Sequence, residues 1–442
     1  MRLSACFALL ACSAALAALA VPALGQNAKE TEKERARALD EAEAKAKEKA
    51  ARKEVREAEE PKTGARTLRL YEWGVETLRF DGGPEPEFDA EIPAAYYEPS
   101  EVSVGGERPI KDPEVKPQPD PKPPEPPKRR KPVVYFDCGE DVTFDLDVRF
   151  TKGKVTWMYP KPSRMTDAAT AQWDNIMLFS DSVTARDHVP AMPDMLKHKA
   201  DHWAAFSRDG STSNLLVNGE AERFVFYEGD NAALPEADIF KNADGKIVIR
   251  NYSAHALRSV RFTQTSGDGK STQGWLIDSV PAASGDNPGE AIVGGEDISF
   301  SVFSGKGTLT DETKAAGLTE KQAQVFERAW QDVFFKREAC TLSYRREAKA
   351  LDEMMELKVT LPEGFGFEQK RVGYVYIHGI DFTTQAQAEK LAASAPANAE
   401  DAAKLKKLGM AGVGALRRRM VDEKLPLEER IAAAKLLAEM GK

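Results

Sequence analysis

Histidine and cysteine are scarce in this chain, with five histidines and four cysteines in 442 residues. That shortage removes most of the side chains that carry nucleophilic, proton-transfer and metal chemistry near neutral pH. No Gly-x-Ser-x-Gly elbow occurs, and the scattered histidines follow no recognisable triad order. Positive charge is not in excess either. Lys and Arg number 62 against 71 Asp and Glu, a formal balance of −9. A mildly acidic chain has no general attraction for nucleic acid or anionic lipid, so nucleic-acid binding is not expected.

Two of the cysteines, Cys6 and Cys12, lie within the first 25 residues. Cys138 and Cys340 remain, and the sequence fits one long-range disulfide and two buried free thiols equally well. A zinc site would need more ligands near either cysteine than the sequence offers.

What the chain does have begins at its N-terminus. Arg2 precedes an uncharged run from Leu3 to Ala20, and Ala23-Leu24-Gly25 places small residues at −3 and −1 of a cleavage site before Gln26. This is the pattern of a cleavable export signal over residues 1–25. Pro22 and the small-residue exit argue against a retained membrane anchor. Cys12 sits too early in the apolar run for lipid attachment. Only retention of the signal or lipidation of Cys12 would tie the chain to a membrane. The expected location is therefore outside the cytoplasm: periplasm, cell surface or extracellular space.

Composition divides the rest of the chain. Residues 26–61 are almost all Ala, Glu, Lys and Arg, with acid-first pairs four apart such as Glu41–Lys45, Glu43–Lys47 and Glu48–Arg52. Such pairs support a solvated helix with no apolar stripe to pack. Residues 62–81 read as a strand segment around Thr67–Phe80, with a bulge or break expected at Gly74. Residues 82–132 are proline-dense and predict an extended polyproline spacer. From 133 to 310 short alternating segments recur. In Val142–Phe150, residues Val142, Phe144, Leu146, Val148 and Phe150 share one face and Asp145 and Asp147 the other. Repeated short strands predict an antiparallel, sandwich-like β domain. Over 311–382 the pattern is α+β, opened by the capping box Thr319-Glu-Lys-Gln322, and 383–442 is helical. The fold class expected is α+β.

Three motifs suggest chemistry. Gly267-Asp-Gly-Lys-Ser-Thr272 resembles the end of a phosphate loop, but Gln264 stands where glycine is required and strands flank it, so it reads as a hairpin turn and no nucleotide is expected. Asp238 to Asn251 lacks the first and last ligands of a calcium loop and reads as a turn. His188, His198 and His202 are the sharpest suggestion, because two histidines four apart share a helix face. Lys199, however, replaces the general-base glutamate of the zinc-protease pattern. Trp203 and Phe206 beside them point to an amphipathic helix instead. No cofactor, metal or catalytic residue is assigned. Trp157, Tyr159, Trp173 and Trp203 could stack on sugars, although core packing is the commoner fate of such residues.

Pro132-Val-Val-Tyr-Phe136, the strand pair after it, Glu222-Arg-Phe-Val-Phe-Tyr-Glu-Gly229, the capped helix through Ala329-Trp330 to Phe335, Leu342-Ser-Tyr344, and Asp352 to Val359 resemble an uncharacterised family of exported bacterial proteins. The resemblance covers most of residues 132–380 and carries no activity or site residue. Leu405 to Leu416, then Pro426 to Ala434, resembles one HEAT-type helical repeat. A single such unit cannot bury its own apolar face, so it must dock on the preceding domain or on a partner. The expectation is an exported, non-enzymatic binding or structural protein of the cell envelope, with a protein or envelope component as partner. The alternatives are a metal-dependent hydrolase using His188, His198 and His202, and a carbohydrate or cell-wall binding module.

Overall fold

The computed structural model describes residues 66–83, 96–102, 128–180, 203–211, 213–231, 234–266, 271–295, 299–303 and 307–440. The export signal, the charged helix, most of the proline-rich stretch, His188, His198, His202 and the turn at 267–270 lie outside them.

In chain order the strands are β1 (Thr67–Arg79), β2 (Lys128–Asp137), β3 (Val142–Phe150), β4 (Gly153–Tyr159), β5 (Arg164–Asp167) and β6 (Thr170–Phe179). Then come β7 (Asn214–Val217), β8 (Glu220–Glu222), β9 (Val225–Asn231), β10 (Ala237–Lys241), β11 (Ile247–Asn251) and β12 (Leu257–Thr265). The last are β13 (Thr272–Val280), β14 (Gly289–Ile292), β15 (Ser299–Phe303), β16 (Cys340–Arg346), β17 (Met355–Thr360) and β18 (Gly366–His378). The helices are α1 (Trp203–Ser207), α2 (Thr308–Ala315), α3 (Glu320–Phe335), α4 (Ala348–Met354), α5 (Phe382–Ser394), α6 (Ala399–Lys407), α7 (Gly409–Val421) and α8 (Leu427–Met440).

A nine-stranded sheet runs β15-β13-β12-β16-β18-β1-β2-β9-β4. Its pairs are antiparallel except β1 and β18, which run parallel from Thr67 opposite Gly366 to Arg79 opposite His378. One face carries helices: Trp73, Val75, Tyr374 and Tyr376 pack under Phe326, Trp330 and Phe334 of α3. The other face is covered in two halves. Leu68, Leu70, Val134 and Phe136 meet a six-stranded sheet, β17-β3-β6-β7-β8 with β5 alongside β6. Leu78, Phe80, Phe262 and Ile377 meet the small sheet β10-β11-β14 and the C-terminal helices. The fold is α+β with mostly antiparallel sheets, as its sequence predicts.

The segment boundaries do not mark separate bodies. Strands from 62–81, 133–310 and 311–382 interleave in the one large sheet, and β1 lies in its interior. Residues 64–442 therefore form one compact unit. The helices from 382 onward dock on it through Ala388, Ala392, Leu405, Met410, Leu416 and Ala433, while Leu427 and Ile431 of α8 stay exposed. Gly82 and Gly409 make that docking possible. Both adopt positive φ, +69° and +50°, and a Cβ on Gly409 would lie 2.5 Å from the Gly82 backbone. At the same place the Ala411 amide donates to the Phe80 carbonyl at 2.9 Å. Gly409 also divides the stretch 405–416 between α6 and α7, so it is not one continuous helix.

The capping box forms as predicted. The Gln322 amide donates to Thr319 Oγ1 at 3.4 Å, and the Thr319 amide donates to Gln322 Oε1 at 3.0 Å. Glu327 of α3 performs the same service for its neighbour, accepting from the amides of Gly307 and Thr310 at the start of α2.

Candidate functional site: an uncovered sheet edge

Three kinds of feature compete for a functional role: buried charge, a surface groove, and the margins of the sheets.

Buried charge is concentrated where the two half-cores meet. Glu72 and Glu76 of β1 point to the same face as Leu70 and Leu78, between the two coverings. Glu72 accepts from Arg371 Nε at 2.5 Å and from the Tyr227 hydroxyl. Arg371 also donates to Asp352 of α4 at 2.6 Å and to the Met355 carbonyl at 2.8 Å. Glu76 pairs with Arg346, which donates twice more to Glu236 at 2.6 and 2.8 Å. Burial works against the Arg346 charge, but Glu236 and Glu76 more than offset it and raise its pKa well above the ordinary value. Burial alone would raise the Glu236 carboxyl, yet Arg346 outweighs burial and holds it below its ordinary 4.5. The Glu72–Arg371 pair is inaccessible to solvent on both sides. A substrate cannot reach such a pair, so this is architecture: the charges satisfy one another inside the layer boundary.

A shallow groove of about 360 Å³ lies on the outer face of the six-stranded sheet, lined by Ser163, Asp174, Asn175, Met177, Leu216 and Asn218. Its polar groups are mostly spent on one another. The Ser163 hydroxyl donates to Asn218 Oδ1 at 3.3 Å and accepts from the Asp174 amide at 2.9 Å, while Arg164 holds the Asp174 carboxylate at 2.9 Å.

The margins differ from one another. A strand at the edge of a sheet shows unpaired amides and carbonyls, and proteins cover or charge such edges to prevent indiscriminate pairing. At β4 the chain covers its own edge, because Tyr97 exchanges backbone hydrogen bonds with Met158 at 2.8 and 2.9 Å and buried Tyr96 stacks on Tyr159. At β10 the Gln385 side chain does so, accepting from the Lys241 amide and donating to its carbonyl. At β17 the exposed residues are Glu356, Lys358 and Thr360, two of them charged. β8 begins on Glu220, held by the Tyr97 hydroxyl, and ends on Glu222. β14 carries Glu290, paired with Arg250.

β15 has none of these devices. Among the described residues nothing pairs with its outer side. Its sequence is Ser-Phe-Ser-Val-Phe, and Phe300 and Val302 are 56 % and 71 % exposed. Both lie on the face of the small-sheet core. Phe262, Trp275 and Phe300 stand opposite one another on three successive strands, with ring centres 6.0 and 5.3 Å apart. This aromatic row passes from buried Phe262 through half-buried Trp275 to exposed Phe300. Gly274, between β12 and β15, lets the row close up, since a Cβ there would lie 2.1 Å from the Phe262 carbonyl oxygen. Such an edge can bind an extended chain by main-chain pairing, with Phe300 and Val302 supplying apolar contact.

The residues singled out from the sequence fall elsewhere. Tyr159, Trp173 and Trp203 are buried in the cores and Trp157 packs partly against them, so they form no sugar platform. Asp145 and Asp147 accept separately from the Asn175 amide and the Gln172 side chain, each on its own partner. Cys138 and Cys340 lie in different cores and are not joined by a disulfide, and burial raises both pKa values. His255 sits 3.0 Å from Glu353, and His378 lies between Arg79 and Arg337 with a lowered pKa, chiefly from burial. Among the described residues no three His, Cys, Asp or Glu side chains gather to hold a metal, and no helix is long and apolar enough to cross a membrane. Asn242 and Gly245 make a tight turn between β10 and β11, as read from the sequence.

No family model matches the chain, and no curated protein matches it. Among solved structures, the Fcho1 Mu homology domain of Danio rerio with bound Eps15 peptide aligns with 72 % of this chain and 99 % of its own, at TM-score 0.27 and 8 % identity. A likeness that slight carries no argument about this chain.

Proposed function

We propose that this chain is an exported, non-enzymatic binding protein of the cell envelope that holds a protein partner along β15. The observation that carries the reading is the uncovered apolar edge: Phe300 and Val302 face solvent on a strand whose outer side no described residue pairs. Natural proteins rarely leave such an edge open unless something occupies it. The N-terminal pattern of Arg2, an uncharged run and a small-residue exit supports export.

The test has two arms. Cells making the full chain are fractionated, and the N-terminus of the recovered protein is read. Export predicts a product that begins at Gln26 in the envelope or the medium, whereas a cytosolic protein retaining Met1 overturns it. In the second arm, backbone hydrogen exchange is followed for purified protein and for protein held in the envelope fraction. Slower exchange confined to β15 in the envelope, relative to purified protein diluted until it is monomeric, supports edge binding, and unchanged exchange there overturns it. Metal analysis covers the hydrolase alternative. Stoichiometric zinc lost on His198→Ala and His202→Ala would overturn the non-enzymatic reading.

A further inference from the structure

We infer that the occupant of β15 is a second copy of this chain, joined edge to edge in an antiparallel pair whose two-fold axis passes through Ser301. This rests on the reading of β15 as the binding edge and goes one step further, by naming what binds there.

Read from Ser301 outward, β15 places Phe300 on one side and Val302 on the other, then Ser299 and Phe303. In an antiparallel pair, opposed residues share a face and stand about 5 Å apart. A two-fold axis at Ser301 therefore sets Phe300 against Val302 of the copy, and Val302 against Phe300 of the copy. Both contacts fall on the face already bearing Trp275. The row Phe262–Trp275–Phe300 then continues into Val302 of the copy, and the two most exposed apolar side chains of the sheet bury each other. A register one residue away would oppose residues from opposite faces and leave both exposed.

Two further points favour a copy over an unrelated strand. An isologous contact requires one patch to complement itself, and residues 299–303 do so without a charge to repel or a proline to interrupt. The other margins of this molecule are each covered or charged, so self-pairing is blocked at those edges and open only at this one among the described residues.

The full chain, with wild-type residues at Cys138 and Cys340, is subjected to sedimentation equilibrium and to mild oxidation. Wild type is expected to show a concentration-dependent monomer–dimer equilibrium. Val302→Lys should weaken self-association about tenfold or more, since it sets an ammonium against Phe300 of the copy. Adding Phe300→Glu to that variant should restore the dimer, because this register sets each new carboxylate opposite the copy's new ammonium, twice per dimer. Ser301→Cys should form a covalent dimer on oxidation beyond any seen for wild type, which carries the same native cysteines and whose Cys138 and Cys340 lie outside β15. Near-ultraviolet circular dichroism checks that each variant remains folded, as substitutions at exposed Phe300 and Val302 and half-buried Ser301 should.

A wild-type chain that stays monomeric overturns the inference, as does a dimer indifferent to Val302→Lys. Absence of the Ser301→Cys crosslink from a dimer that does form overturns the register. If the chain is monomeric but hydrogen exchange at β15 still slows in the envelope, the second-copy inference fails while the proposed function stands.

Discussion

Arg371 has no escape from its surroundings. It is sealed between the central sheet and its coverings, with Glu72 on one side and Asp352 and the Met355 carbonyl on the other. Removing one member of a buried pair leaves the other charged, dry and unpaired, which costs about 3–5 kcal/mol. Arg371→Met should therefore lower stability by that order in urea unfolding. Adding Glu72→Leu should recover part of the loss, because an apolar pair of similar size does not need the missing charge. Glu236 answers to pH. Its folded pKa lies below its ordinary 4.5 because of Arg346. Its contribution is thus complete above that ordinary value and is lost as pH falls through the lower folded one. Glu236→Gln should be less stable than wild type at neutral pH and show a shallower decline on acidification, read from thermal midpoints between about pH 3 and pH 7.

At the scale of elements, the glycine contact between the end of β1 and the start of α7 makes the sharpest test. Gly409→Ala adds a Cβ 2.5 Å from the Gly82 backbone at a φ that disfavours L side chains. Left-handed strain and overpacking together should cost about 2–4 kcal/mol. Gly219→Ala is the control: its φ is +84°, but nothing lies within 4 Å, so only about 1 kcal/mol of strain is expected. Both are read from urea midpoints. Elements were legible in the sequence where periodicity was unbroken. β3 ends where its alternation ends, and α3 begins at its capping box. β6 was not legible, and its burial pattern explains why. Ala171 and Trp173 point inward, but a bulge follows, with Asn175 at φ +56°, and the inward set resumes at Ile176 and Leu178. A slip of one residue in mid-strand erases period two. The site was half legible. Residues 298–303 read as strand, but alternation cannot tell an apolar face that meets a core from one that meets solvent.

For the whole molecule, the coverings of the central sheet are not optional. Ending the chain at Asp381 removes the helices that pack over Leu78, Phe80, Ile239 and Ile249. The shortened protein should bind a hydrophobic dye strongly and lose near-ultraviolet dichroism, as expected when packing fails around retained strands. A truncated protein that unfolds cooperatively without dye binding would show that the helices are a separate addition. The body-wide arrangement was the least legible level. Composition marks the change at 133 and again near 311, yet strands from both sides of each change share one sheet. No local pattern announces that Thr67 will lie beside Gly366.

That pairing has a temporal side. A protein is made from its N-terminus, and β1 reaches water long before β18 exists. Until β18 is synthesised, β1 has only β2 to lie against, and Leu68, Trp73 and Val75 lack the neighbours that later enclose them. Contacts so distant along the chain make folding slow, and the waiting intermediates are prone to stick to one another. The central strand pair cannot close until residue 378 of 442 has been made, and it should be among the last contacts to form.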